Sequence, residues 1–120
     1  MSIRVDLSEL ISVAEGQAPF AYLLTVSEDA TAHVVAVRIE FRSEGLVCTA
    51  GGTSCRNASA RPHVSLLWPP SVPTDYSLIV DGVASVDDSV VTIVPARAVK
   101  HRPAVGGGND CGPVEIHSKK

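Results

Sequence analysis

Thr49 to Trp68 reads TAGGTSCRNASARPHVSLLW. Ahead of it, Leu46–Ala50 has the length and apolar content of a strand, and that strand runs into small residues, Gly51, Gly52, Thr53 and Ser54. A basic segment with Arg56, Asn57 and Arg61 follows, long enough for a turn or two of helix over Cys55–Ala60 and stopped before Pro62. His63–Trp68 then reads as another strand. One tight connection thus collects main-chain N–H groups, two hydroxyls and a guanidinium, a set of donors suited to a phosphate.

Working outward, strand patterns lie on both sides. Phe20–Ser27 and Thr31–Phe41 flank a turn at Glu28–Ala30. In the second, His33, Val35, Val37, Ile39 and Phe41 share one face, and Val34, Ala36, Arg38 and Glu40 the other. Arg42–Gly45 is a second turn. Beyond Trp68, Pro69, Pro70 and Pro73 make a stiff crossing loop. Tyr76–Val86 is the next strand, with a bulge or bend expected at Gly82. Asp87–Ser89 turns the chain into Val90–Lys100, where Pro95 predicts an edge strand or a break. Only residues 6–15 carry the helical period, through Leu7, Leu10, Ile11 and Ala14; Asp6 or Ser8 can cap this helix, and Glu9 is placed for a capping box.

These elements predict a mainly β fold: six antiparallel strands curled into a small barrel, with one or two short helices. At 120 residues the chain is one domain, and 45% hydrophobic content is enough for a core. With two Phe, two Tyr and one Trp, that core is aliphatic. We place the domain at residues 1–101 and expect a flexible C-terminal tail over 102–120, where Gly106–Gly108 reads as a hinge.

Charge and cysteine content narrow the function classes. A net charge of −3 with no basic tract argues against nucleic acid. No apolar run has membrane-span length, and the first residues, MSIRVDLSEL, lack a secretory signal, so a cytoplasmic location is expected. Cys48, Cys55 and Cys111 are odd in number and share no C-x-x-C spacing, which argues against a disulfide framework. His33, His63, His101 and His117 form no metal spacing with them, and no metal is assigned.

The order of motifs resembles the pyridoxamine 5′-phosphate oxidase-like, FMN-binding split β-barrel family. The resemblance rests on His33-Val34-Val35-Ala36-Val37, Cys48-Thr49, Arg56-Asn57, Pro62-His63-Val64-Ser65-Leu66-Leu67 and YSLIVDGVASV over Tyr76–Val86. Ala36 stands where the family often has proline, and Ser54 where many members have lysine. The resemblance implies a homodimer with flavin mononucleotide (FMN), or a related deazaflavin, at the subunit interface. It further implies ring contacts from the backbone of Val35, Ala36 and Val37. Thr49, Gly52, Thr53, Ser54, Arg56 and Asn57 would then surround the ribityl chain and phosphate.

Several of these residues carry two readings. Arg56 is a phosphate ligand or a solvated loop cation. Asn57 bonds a cofactor or caps the following turn. Trp68 walls a flat ring or plugs the barrel end. Arg38 faces a cofactor, a partner or water. Cys55, beside Arg56, lacks a His–acid partner for a nucleophilic role, and no residue stands out as a proton donor. The function expected is a flavin-dependent oxidoreductase acting on a small molecule. The alternative is a non-catalytic flavin-binding or structural dimeric module.

Overall fold

In the computed structural model, residues 1–104 are described. Among them, eight strands form one antiparallel sheet: β1 (Ser2–Val5), β2 (Ala21–Val26), β3 (Ala32–Val37), β4 (Glu40–Arg42), β5 (Gly45–Thr49), β6 (His63–Trp68), β7 (Ser77–Asp87) and β8 (Val90–His101). A single 3-10 turn at Leu7–Glu9 leads into α1 (Leu10–Glu15), and α2 (Gly52–Ala60) connects β5 to β6. The strand path is β3-β2-β6-β7-β8-β5-β4, with β1 added against β8. Its two ends, β3 and β4, are separated in the chain only by Arg38 and Ile39. The sheet must therefore curl until its ends approach, without a ladder joining them.

The split, half-barrel form of the fold is present, whereas full closure is not. Two strands exceed the expected six. β1 is one, and the other arises because Thr31–Phe41 divides at Arg38–Ile39 into β3 and β4. The alternation runs unbroken through that bend, since Val37 is buried while Arg38 and Glu40 are exposed. A period of two reports which face a residue takes and not which strand it pairs with.

The inward face is a register row. Val35 pairs with Leu23, Leu23 with Leu66, Leu66 with Val80, and Val80 with Ala98. Leu23, Leu66 and Val80 are fully buried, and each contributes roughly 1.5–3 kcal/mol of apolar burial. Trp68 is also buried and stacks on Phe41, with ring centroids 6.1 Å apart and planes at 13°. It is a plug at one end of the core.

Two glycines are fixed by close approach. A Cβ on Gly82 would lie 2.6 Å from both Ile93 Cγ2 and the Val94 carbonyl oxygen, at the point where the β7–β8 register shifts. Gly45 has φ +145°, and a Cβ there would lie 2.6 Å from the Ile93 carbonyl oxygen.

Pro95 lies in an interior strand. β8 pairs with β7 along one side, and on the other with β5 through residues 90–93 and with β1 through 98–101. Pro95 falls in the interval between those two partners, where its missing N–H breaks no ladder. At the N-terminus, Asp6 caps the 3-10 turn through the Ser8 N–H at 2.9 Å, whereas Glu9 makes no capping contact. Arg102, expected to open the tail, is docked. Its N–H donates to the Met1 carbonyl, and its guanidinium lies 4.4 Å from the Tyr76 ring centroid. From residue 105 on, the expected tail, with Gly106–Gly108, Cys111 and His117, lies outside the described residues.

Candidate functional site

Three neighbouring features assemble at the split in the sheet. The first is β3 itself. As an end of the strand path it pairs only with β2, so the main-chain groups on its other side have no ladder partner among the described residues. Beside it is a depression lined by Phe20, Tyr22, Ala36, Val37 and Arg38.

The second feature shares Arg38. A cavity of about 450 Å³ is lined by Arg38, Glu40, Arg42, Val47, Cys48, Thr49 and Val90. Glu40 and Arg42 form an exposed ion pair on β4. Arg38 has no salt bridge or side-chain hydrogen bond among the described residues. Burial pushes the Cys48 thiol up to about 11, with the nearby Cys55 adding to the shift.

The third is the start of α2, three residues beyond Thr49. Gly51 is the N-cap and supplies no side chain. The first intrahelical bond is from Cys55 N–H to the Gly51 carbonyl, at 3.0 Å. The N–H groups of Gly52, Thr53 and Ser54 therefore project from the helix start without acceptors among the described residues. A Cβ on Gly51 or Gly52 would meet nothing within 4 Å, so no neighbouring group crowds the side-chain positions at the helix start. Arg56 is exposed one turn along, and its side-chain partner among the described residues is the Thr53 hydroxyl at 3.4 Å. These groups fit an anion: free donors, a helix N-terminus and an uncommitted guanidinium.

Other expected contacts face inward. Ser54 and Asn57 are buried, and helical spacing places them with Ala58 on the face of α2 that packs against β2 and β7. Asn57 Nδ2 donates to Thr25 Oγ1 and to Ser27 Oγ, both at 3.2 Å, while Arg61 Nε donates to the Val26 carbonyl at 2.6 Å. The Asn57 side chain thus clamps α2 to β2 and neither reaches the open side nor caps a turn. Ser54 Oγ is buried without a partner among the described residues, which leaves only its main-chain N–H facing the helix start. Trp68 is buried, with one ring face stacked on Phe41, and it lines a depression with Gln17 and Ile39 away from the start of α2. Val35 packs against the core, while Ala36 is exposed. Cys55 is buried, with Sγ 3.5 Å from the Ala50 carbonyl.

Sequence reasoning read Arg42 as a turn residue and left Arg38 open between a cofactor, a partner and water. Arg38, Glu40 and Arg42 alternate on one face of a period-two pattern, and that pattern does not say what the face meets. The bend that turns both arginines toward one cavity is a tertiary event. Among the described residues no three His, Cys, Asp or Glu side chains cluster, and no helix is long and apolar enough to cross a membrane.

The fold defined by this split sheet and its two short helices is the split barrel of pyridoxamine 5′-phosphate oxidase-like proteins. Solved structures bear this out. One from Listeria innocua, provisionally described as a pyridoxamine 5′-phosphate oxidase, superposes with a TM-score of 0.62 at 19% identity, covering 78% of this chain and 96% of that one. The FAD-binding protein of Mycobacterium smegmatis gives 0.61 at 18% identity, covering 85% and 100%. An F420 reductase gives 0.59 at 18% identity, covering 72% and 94%. No protein-family model matches the chain. More specifically, the chain belongs to the family of the uncharacterized protein Mb0449c of Mycobacterium bovis, to which it is 39% identical over 121 aligned positions, 84% of this chain and 82% of that protein.

Proposed function

We propose that this protein binds a flavin-type cofactor, with FMN the first choice and a deazaflavin the alternative, and serves as an oxidoreductase for a small molecule. The observation that carries the reading is the start of α2. Three main-chain donors without acceptors among the described residues lie there beside two glycines with free side-chain positions, one turn from Arg56. Gly52, Thr53 and Ser54 would donate their N–H groups to a cofactor phosphate, the Thr53 hydroxyl and Arg56 would add to them, and Thr49 would lie toward the ribityl chain. The unpaired edge of β3 over Val35–Val37 would orient the ring through main-chain donors and acceptors. When bound, the flavin supplies the hydride chemistry. The neighbouring structures named for FAD and F420 support the cofactor class.

The same reading takes the protein as a homodimer. An apolar register row on the outward face supports it, running from Ala36 through Tyr22 and Leu67 to Ile79. The test is titration of FMN into the purified protein, followed by quenching of flavin fluorescence. Saturable binding that falls on Arg56→Ala supports the reading. A protein that binds neither FMN nor a deazaflavin overturns it. Bound flavin that bleaches with NAD(P)H and recovers in air separates an enzyme from a carrier.

A further inference from the structure

The outward face of the sheet carries an ion pair inside an apolar surface. Beside the row from Ala36 to Ile79 runs a second register row: Val34, Leu24, Ser65, Asp81 and Arg97. Tyr22 and Val34 on these rows, and Val83 and Val94 beyond them, are large apolar side chains left exposed. In the second row Ser65 Oγ donates to Asp81 Oδ1 at 2.6 Å, and Arg97 Nη1 lies 3.4 Å from Asp81 Oδ2. The Asp81 and Arg97 side chains are 44% and 55% exposed, so in water their long contact adds little to the stability of one chain. Asp81 is the side-chain partner of Arg97 among the described residues, and the contact uses one of five guanidinium N–H donors.

We propose that a second copy of this chain covers this face about a two-fold axis, and that Asp81 pairs with the partner subunit's Arg97, twice over, so that these charges fix the register of the dimer. The inference rests on the homodimer reading above and adds what sets its register. In a two-fold contact each residue meets a second one and is met by it in return, so opposite charges side by side on one face complement a copy of themselves. Covering the face takes both charges out of water, which is costly unless their remaining donors and lone pairs find partners. Ser65 steadies the carboxylate from within its own chain, and Arg97 has donors to spare for the carboxylate opposite. Apolar rows alone can slide over one another. Along these two rows Asp81 is the carboxylate and Arg97 the guanidinium, so a slid pairing buries both with nothing opposite, and that penalty selects one register.

The test is charge exchange in the full-length protein, read by light scattering on a sizing column and by native mass spectrometry of mixtures. Wild type runs as a dimer. Asp81→Lys sets two cations against each other at each contact and Arg97→Glu two anions, so each variant alone dissociates at least about tenfold more readily. Mixed in equal amounts, the two single variants form a one-to-one heterodimer, because every contact is again between opposite charges. The double variant Asp81→Lys/Arg97→Glu assembles with itself but not with wild type. A pair acting only within its own chain gives neither pattern. Thermal melting verifies that the variants fold, and the double variant keeps an ion pair within its chain should a single variant fail to fold. A wild type that is monomeric at tens of micromolar overturns the homodimer reading and this inference with it. A dimeric wild type overturns the inference alone if the single variants stay as dimeric, if their mixture yields no heterodimer, or if the double variant mixes freely with wild type.

Discussion

Two pairs of glycines divide the molecule. Gly45 and Gly82 both press on Ile93, with β8 main chain where a side chain would go. At Gly51 and Gly52, at the head of α2, an added Cβ would meet nothing within 4 Å. The first pair lets strands pack at close quarters around β8. The second leaves main-chain donors accessible at the split. The same residue type therefore marks the tightest packing in the sheet and the most open donor surface, and only the surroundings distinguish them.

Substitution separates the two roles. The largest effect is expected at Gly45, where alanine meets both a disfavoured backbone angle and a carbonyl oxygen. Gly45→Ala should lose about 3 kcal/mol or more of stability by denaturant titration. Gly82→Ala has an allowed backbone but the same kind of overlap and should lose about 2–3 kcal/mol. A melting temperature unchanged in either variant would contradict the packing argument. At the open site the readout changes from stability to binding. Arg56→Ala should leave the fold intact and weaken FMN by about 1–3 kcal/mol. Gly52→Ala, in the first turn of a helix with space above it, should gain about 0.5–1 kcal/mol of stability while lowering FMN affinity, because a methyl group then stands over the donors.

A different kind of effect, confined to alkaline pH, is expected through Cys48, in the lining of the Arg38 cavity. Its thiol lies at about 11 in the folded protein against 9.0 ordinarily, so folding favours the neutral form. The corresponding stability is complete below the ordinary thiol value and is lost as the pH climbs through that interval toward the folded value. Denaturation midpoints should fall across this alkaline range in wild type and less so in Cys48→Ala.

Much of this fold was legible because local punctuation agreed with the tertiary outcome. β6 spans His63–Trp68 as expected, since Pro62 and Pro69 bracket it. β1 was not legible: Ser2–Val5 does alternate polar and apolar residues, but four residues are too short a run to fix a strand, and this one exists through pairing with β8 at the far end of the domain. The site was half legible. The donors of the α2 head follow from Gly51 and Gly52, but α2 begins at Gly52, three residues before the expected start. That earlier start turns Ser54 and Asn57 to the buried face. The spacing of Ser54, Asn57 and Ala58 is the signal that could have shown it. Nothing local announces that Arg38 and Arg42 face one cavity.

Pro95 bears on how copies of this chain avoid one another. Between the reach of β5 and that of β1, one flank of β8 is left without a neighbouring strand among the described residues. A continuous run of amide donors there would be a template for a foreign strand, the first step of sheet-to-sheet aggregation. The proline interrupts that run at its centre. A valine in its place would complete the donor row in an already Val-rich strand, and slow precipitation from concentrated stocks is the expected symptom.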